Sequence, residues 1–415
     1  INVGVSVGGS GGAGGSGGNV TVNNYGNIST GHATATEQWL ANGSEASLVS
    51  GYFYSGRSSN GINAQSIGGG GGDGGMALTA NLDLQPSGSK TIQIAVDVGG
   101  AGGSGNTAGN VYVKNAGDIS TLADDSSAIK ARSIGGGGGD GGMAVGGLAS
   151  IGNFSDTNVK TISAQANVNV GGAGGDGNNS GDISIIQSGN ISTFGAASYG
   201  IEAQSIGGGG GDGGNANSFN LQLATTCVFD VLSVAYKGCK DPATNSYNAS
   251  VSVGGNGGTA NNGNKITVTN SGDIYTGGAA SSGIIAQSIG GGGGNGGQAT
   301  RGLTGLFDFS DYVGVGLTVI GVSNGPTPLW TGLFNATVGG SAGAGGSGSS
   351  VDVANDGRIA TAGDSAYGIL AQSIGHGGGN GGQANSGITG LISIGGTGGG
   401  HFALSSAVSF TASAK

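Results

Sequence analysis

The tetrapeptide Ala-Gln-Ser-Ile followed by glycines occurs four times, with a fifth copy that reads Ala-Arg-Ser-Ile, and no other feature constrains the fold of this chain as strongly. A Val followed by two glycines precedes every copy, and in the last four units this Val lies 35 residues before the Ser of the tetrapeptide. Repetition at a fixed spacing indicates one structural unit that is stacked five times. The repeated polar residues are Gln65, Ser66, Ser133, Gln204, Ser205, Gln287, Ser288, Gln372 and Ser373, with Arg132 in place of the second Gln.

The repeat divides the chain into five units, at 1–95, 96–167, 168–250, 251–335 and 336–415. In unit one the distance from the Val to the Ser is 59 residues, and the additional 24 residues are interpreted as an inserted loop at 32–57. The other units differ in length after their second glycine run, where we expect the variable surface. Both ends of the chain lie in alternating, strand-like sequence, so we interpret it as part of a longer repetitive protein in which unit five continues.

A second repeated phrase lies inside each unit and reads strand, Gly turn, strand, as in Asn270-Ser271-Gly272-Asp273-Ile274. It follows an alternating segment such as 266–269, which puts Ile and Val on one face and Thr on the other. Asn suits this turn because it tolerates a left-handed backbone and can hydrogen-bond to its own main chain. Short strands, corner turns and the lack of helical periodicity predict an all-β fold, a repetitive β-solenoid or β-helix with coils about 4.8 Å apart.

Glycine supplies 102 of the 415 residues, and its runs come in two kinds in each unit. The first kind repeats every three residues, as at 8–18, and three is the period of polyproline II, in which a glycine face lets backbones approach closely. Both kinds are predicted to be extended segments stacked from unit to unit, with a flexible linker as the alternative. The alternating stretches between units, such as 91–98, are interpreted as hairpin arms.

Charged residues make up 8% of the chain, and the formal net charge is -10. This composition repels phosphate backbones and offers no basic stripe, so we expect no nucleic-acid partner. The longest apolar stretch, 312–322, has about eleven residues, which is too short to cross a bilayer as a helix. Low charge and low aromatic content also disfavour most enzyme folds.

The two cysteines, Cys227 and Cys239, lie twelve residues apart in unit three. Their spacing and the nearby Pro242 favour a disulfide that closes a local loop, with two free thiols as the alternative. A zinc site would need further ligands, and the three histidines lie far away in sequence. We therefore expect neither a metal nor a cofactor at this place.

The glycine run before Asp73 matches part of a calcium-binding nonapeptide, in which carboxylates of adjacent turns share the ion. The equivalent residues are Asp140 and Asp212, then Asn295 and Asn380. The match is partial because such sites need tandem copies nine residues apart, and a polar turn is the simpler interpretation. The sequence contains no nucleophile triad, phosphate-binding loop or paired catalytic carboxylates, so no catalytic residue is assigned and the chain is expected not to be an enzyme.

The glycine-rich Ala-Gln-Ser-Ile phrase, joined to the Asn-x-Gly-x-Ile turn phrase, resembles the repeat regions of very large autotransporter adhesins of Gram-negative bacteria. The likeness extends over all five units. It implies a secreted β-helical passenger that is displayed on the cell surface after passage through an outer-membrane domain, which these 415 residues do not include. The family offers no catalytic residues to transfer to this sequence.

A long, poorly charged repeat with open coil ends suits extension, adhesion or self-association. We expect a non-catalytic extracellular structural or adhesive protein that forms a surface-displayed or matrix fibre and associates with identical copies or neighbouring repeats. A β-helical protein that binds or degrades host or matrix polysaccharide is the alternative, and a glycine-rich ice-binding bundle is a third hypothesis that the single Thr per unit does not favour. Aromatic residues of the inserts are the contact candidates: Trp39, Tyr52, Phe53, Tyr54, Phe307 and Trp330.

Overall fold

A computed structural model describes residues 1–42, 45–85, 89–153, 161–225, 228–229, 236–237, 244–301, 331–386, 392–400 and 407–412. All regular elements in these ranges are β-strands, and the strands stack in parallel from coil to coil. The all-β solenoid predicted from the repeat is therefore confirmed.

Each coil follows the same path, and the strands are numbered in chain order. Coil one contains β1 (Asn2–Val7), β2 (Val20–Asn24), β3 (Ile28–Thr30), β4 (His32–Asn42), β5 (Glu45–Ser55), β6 (Ile62–Ile67) and β7 (Ala77–Gln85). Coil two contains β8 (Lys90–Val98), β9 (Val111–Asn115), β10 (Ile119–Thr121), β11 (Ile129–Ile134) and β12 (Ala144–Asn153). Coil three contains β13 (Thr161–Val170), β14 (Ile183–Gln187), β15 (Ile191–Thr193), β16 (Ile201–Ile206), β17 (Ala216–Thr225), β18 (Val228–Phe229) and β19 (Tyr236–Lys237).

Coil four contains β20 (Thr244–Val253), β21 (Ile266–Asn270), β22 (Ile274–Thr276), β23 (Ile284–Ile289) and β24 (Ala299–Arg301). Coil five contains β25 (Thr331–Val338), β26 (Val351–Asn355), β27 (Ile359–Thr361), β28 (Ile369–Ile374) and β29 (Ala384–Asn385). The last two strands, β30 (Ile392–Ile394) and β31 (Val408–Ala412), pair with β25 and β26. They begin a sixth coil inside the stretch that the repeat assigned to unit five.

Three of the five stacked sheets enclose an apolar core, and we call this part the apolar lobe. Its sheets have the orders β2-β9-β14-β21-β26-β31, β3-β10-β15-β22-β27 and β6-β11-β16-β23-β28. Equivalent residues stand in exact register, so that Ile129 of β11 lies between Ile62 and Ile201. Their side chains are buried in one continuous cluster. Fully burying an Ile contributes about 1.5–3 kcal/mol, so the repeated Ile and Val columns are the main hydrophobic driving force.

The two glycine runs of each coil lie side by side and form what we call the glycine bridge. Within coil one the runs are antiparallel, because the amides of Gly69, Gly72 and Gly75 donate to the carbonyls of Gly15, Gly12 and Gly9. Between coils, the Gly100 amide donates to the Gly75 oxygen (2.9 Å) and the Gly172 amide to the Gly142 oxygen (2.8 Å). These bonds make the runs an ordered layer rather than flexible linkers. Every third residue faces outward, which matches the three-residue period of the sequence.

The remaining two sheets face each other and form what we call the polar lobe. The entry sheet leads into the glycine bridge and has the order β1-β8-β13-β20-β25-β30; the exit sheet leaves it and has the order β7-β12-β17-β24-β29. The interpretation of these stretches as hairpin arms was wrong. Each strand pairs in parallel with its equivalents in neighbouring coils, as β8 does with β1 and β13, because the stack supplies a main-chain partner at every level.

Candidate functional site

The Ser of the repeated tetrapeptide joins neighbouring coils at the point where the glycine bridge meets the apolar lobe. The Ser205 hydroxyl donates to the Gly181 carbonyl (3.0 Å) and accepts the amide of Asn264 in the next coil (2.9 Å). Ser66, Ser133 and Ser288 make the equivalent pair of bonds, and all four are buried. The strongest sequence motif therefore has a structural role.

The Gln of the tetrapeptide lies on the opposite, outward face of the same strand. Gln204 donates to Gln287 (2.9 Å), and Gln287 donates to Gln372 (2.6 Å), so the side chains form a ladder along the stack. In the second unit the replacement by Arg132 is matched by Glu202 in the next coil at 2.5 Å. Lys130 lies 3.4 Å from the same carboxylate, which is 4% exposed. One buried acid thus lies between two cations and serves the contact between coils two and three.

The calcium candidates stand above one another on the outer surface of the glycine bridge. The amide of Asp140 donates to the Oδ1 atom of Asp73 (2.9 Å), and that of Asp212 to Asp140 (2.7 Å). Asn295 and Asn380 continue the same ladder. One side-chain oxygen of each of Asp73, Asp140, Asp212 and Asn295 is thus occupied by a backbone N–H of the next coil. Among the residues that the structure describes, no group of three or more His, Cys, Asp or Glu side chains could hold a metal ion.

The turn phrase is held by side-chain amides that are buried in the stack. Asn115 donates to the carbonyl of Gly117 (2.6 Å) and to the side chain of Gln187 in the next coil (2.8 Å). The predicted bond from this side chain to its own main chain is therefore present. The non-glycine residues with a left-handed backbone lie elsewhere, in the turn that leads into β6, β11, β16, β23 or β28, at Ser58, Asp125, Ala197, Ala280 and Ser365. These amide ladders fix the register of the coils.

The interior of the polar lobe is mainly polar and contains amides, hydroxyls and the carboxylate of Asp97, beside apolar side chains such as Ala95 and Leu148. Gln165 donates to Gln93 (2.8 Å), and Asn167 donates across the lobe to the Gly146 carbonyl (2.8 Å). Asp97 is 0% exposed and accepts the Thr79 hydroxyl at 2.6 Å, while its second oxygen has no partner. Burial raises the pKa of the Asp97 carboxyl, and the Thr79 bond opposes this in part.

Most outward side chains of the entry sheet are apolar, and we call this surface the apolar face. Lys90 lies on the same side at the end away from the glycine bridge. Ile92 is 44% exposed, Tyr247 46% and Phe334 50%. The alternation at 91–98 was visible in the sequence, but alternation alone does not tell which face is inside. In this sheet the polar side of each strand is buried and the apolar side faces outward, because the facing exit sheet offers hydrogen-bond partners to Gln93 and Asp97.

A second, polar groove runs along the outside of the sheet that contains β3, β10 and β15. It is lined by Asn27, Ser29, Asp118, Ser120, Asn190, Ser192 and Phe194 among others. The Phe194 ring packs against Tyr275 with centroids 5.9 Å apart, and both rings are about 40% exposed (39% and 41%). This groove was not among the sequence-predicted sites, although the first four units carry a Ser or Tyr after the turn phrase, where unit five has Ala360.

The sequence-predicted contact inserts are described in part. The insert of unit one is a hairpin in which β4 and β5 pair antiparallel, with Trp39 opposite Leu48 and Tyr52 opposite Ala35. Phe53 and Tyr54 lie on the same hairpin, whereas Phe307 and Trp330 lie outside the described residues. Cys227 and Cys239 also lie outside them, so the disulfide stays a prediction.

No protein-family model, curated protein or solved structure matches the chain. The described residues contain no helix long and apolar enough to span a membrane. The repeat and its geometry are therefore the basis for a functional proposal.

Proposed function

We propose that the chain is a non-catalytic structural repeat of an extracellular protein, and that it builds a self-associating fibre on a cell surface or in a matrix. The observation that carries this proposal is the use of the repeated polar side chains. The Ser, Asn and Asp ladders bond one coil to the next, as Ser205 does between Gly181 and Asn264. Residues that are repeated because they bond one coil to the next suit a protein whose function is to build an extended fibre.

An exposed apolar surface gives such a stack a route to association. The apolar face of the entry sheet includes Ile92, Tyr247 and Phe334, which are 44%, 46% and 50% exposed. Large exposed apolar patches mark interaction sites.

The resemblance to repeat regions of autotransporter adhesins supports secretion and surface display. Low charge and a formal net charge of -10 suit an extracellular surface without nucleic-acid partners. Adhesion would be carried by the inserts, of which the β4–β5 hairpin with Trp39 and Tyr52 is the described example.

Electron microscopy of the purified chain and immunolabelling of producing cells test the proposal. We expect rods or filaments with an axial repeat of about 4.8 Å and label on the outside of intact cells. Compact particles that never associate across the micromolar range, together with label only after lysis, would overturn it.

A polysaccharide-binding protein is the second candidate, and the polar groove favours it. Amide, hydroxyl and carboxylate groups beside Phe194 and Tyr275 are the groups that recognise sugar rings. Titration with a set of oligosaccharides, with reducing-end release measured in parallel, separates binding from degradation. Saturable binding that is lost in Phe194→Ala would favour this candidate, and no binding to any oligosaccharide would remove it.

A further inference from the structure

The entry sheet has an inside-out distribution of side chains. Its inward rows are mainly polar, with Ala95 as a buried apolar exception, and its outward rows alternate with them along every strand. The row at the middle of the outward face reads Val5, Val96, Val168, Val251, Ala336 and Ile392, one residue from each coil. The row nearest the glycine bridge reads Val7, Val98, Val170, Val253, Val338 and Ile394. Neither row contains a polar or charged side chain.

This face is as large as one side of a stable protein interface. Six strands about 4.8 Å apart and about eight residues of about 3.3 Å each give a surface of roughly 29 by 26 Å, or about 750 Å². A standard interface buries about 800 Å² on each partner. Monomeric soluble proteins seldom leave an apolar patch larger than a few hundred Å² uncovered.

We propose that the apolar face is the interface to a second copy of this chain, which packs its own apolar face against it. The proposal deepens the proposed self-association by naming its surface and partner, and it rests on that proposal. Two sheets that pack face to face lie about 10 Å apart with their inner side chains interdigitated. The side chains of this face repeat every coil, about 4.8 Å apart, and a second copy has the same spacing.

The surface shape of the apolar face also fits a second copy of the chain. Ala164, Ala166 and Ala249 form the floor of a shallow groove, and its walls are Ile92, Ile94, Tyr247 and Phe334. In a two-fold arrangement the same patch meets itself, so the large residues of one copy can enter the alanine groove of the other. The absence of charge in the rows described above fits the same partner, because two copies of a chain with net charge -10 repel where acidic residues meet.

The test uses the 415-residue chain with one substitution on the face and one matched substitution elsewhere. Val168→Glu places a charge in the middle row of coil three. Ile186→Glu places the same charge on the outward side of β14 in the same coil, where the Ile side chain is 38% exposed. Both positions face away from the interior, so hydrogen exchange of the glycine bridge should be unchanged in both variants.

Sedimentation velocity across the micromolar range measures association of the three proteins. We expect the dimer dissociation constant of Val168→Glu to rise at least about a hundredfold, since two-fold symmetry buries the unpaired charge twice, and that of Ile186→Glu to stay within about threefold.

The other outcomes overturn the proposal in distinguishable ways. If the parent chain and Val168→Glu associate equally, the face is not the interface, while self-association through another surface stands. If the parent chain stays monomeric throughout, the proposed self-association fails and the interface with it. If the parent chain is monomeric alone but floats with phosphatidylcholine vesicles and Val168→Glu does not, the occupant is a lipid surface.

Discussion

We expect two alanine substitutions in the glycine bridge of the second coil to differ strongly in their effect on stability. A methyl group at Gly139 would lie 2.2 Å from the Gly72 oxygen and 2.5 Å from the Gly72 carbonyl carbon of the first coil. That oxygen accepts the amide of Gly103 at 2.7 Å. Two residues away, a methyl group at Gly137 would meet nothing closer than the Gly209 oxygen at 3.5 Å. Both glycines lie outside the left-handed region, so the space around the methyl group decides the outcome.

The magnitude follows from these distances. Gly137→Ala should be neutral or stabilise by about 0.4–1 kcal/mol, because alanine restricts the unfolded chain. Gly139→Ala must push two backbones apart by about 1 Å, and overpacking of this kind costs about 1–3 kcal/mol. The displaced Gly103 bond adds about 0.5–1.5 kcal/mol. We therefore expect the two variants to differ by about 1.5–5.5 kcal/mol in the free energy of unfolding.

Urea unfolding followed by circular dichroism measures this difference, and hydrogen exchange of residues 135–142 shows where it acts. Gly72→Ala is a further control, since the same run in the first coil has its nearest atom at 3.3 Å, the amide nitrogen of Gly12. Its effect should be smaller than that of Gly139→Ala. Equal stabilities of Gly139→Ala and Gly137→Ala within about 0.5 kcal/mol would refute the close-packed bridge.

Three further substitutions test the buried carboxylate of the polar lobe, the inter-coil Ser and the exposed Asp ladder. Asp97→Asn should stabilise the protein by about 1 kcal/mol or more at pH 7, because it removes a buried charge with an unpaired oxygen. Burial raises the pKa of Asp97, so its charge lowers the stability of the folded protein above the unfolded pKa of about 3.9. The stabilisation by Asp97→Asn should therefore shrink as the pH falls from 7 towards 4. Urea midpoints that shift equally at pH 7 and pH 4 would contradict this. Ser205→Ala should cost about 1–3 kcal/mol in urea unfolding, because it removes the bond to Gly181 in its own coil and the bond from Asn264 in the next coil. The outward Gln204→Ala on the same strand should cost less than about 0.5 kcal/mol, and similar losses would argue against the inter-coil role of Ser205. Asp140→Ala, which removes the exposed acceptor of the Asp212 amide, should cost at most about 1 kcal/mol, and a chelator should leave the melting of the parent chain unchanged; a melting temperature that falls on chelation would support the calcium interpretation instead.

The sequence predicted the stack because each unit repeats its register-setting residues at fixed spacing. Ile129 and Ser133 could be placed above Ile62 and Ser66 without coordinates, and the structure pairs them so. The three-residue period of the first glycine runs likewise predicted close backbone packing. The repeat alone is sufficient to predict the stacking, since equivalent residues make the same contacts in every coil.

The polar lobe could not be predicted in the same way. Alternation at 91–98 defines two faces, but only the facing exit sheet decides which one is buried. Gln93 and Asp97 are inside because Ala149 and Thr79 offer them hydrogen-bond partners from another strand. The outward position of Ile92 then follows, and with it the apolar face. Which side of the strand is buried is therefore decided by contacts between the two sheets and cannot be inferred from the order of residues along one strand.

Hydrogen exchange of the glycine runs distinguishes an ordered glycine bridge from a flexible linker, since the two differ most in these amides. We expect the hydrogen-bonded amides within residues 99–105, 135–142, 171–177 and 207–214 to be protected nearly as well as those of the apolar lobe. The amides of Gly100, Gly142 and Gly172 donate to neighbouring runs at 2.7–2.9 Å and should exchange among the slowest. Exchange of these glycines at the rate of an unstructured peptide, beside protected strands such as β11 and β16, would contradict the ordered glycine bridge.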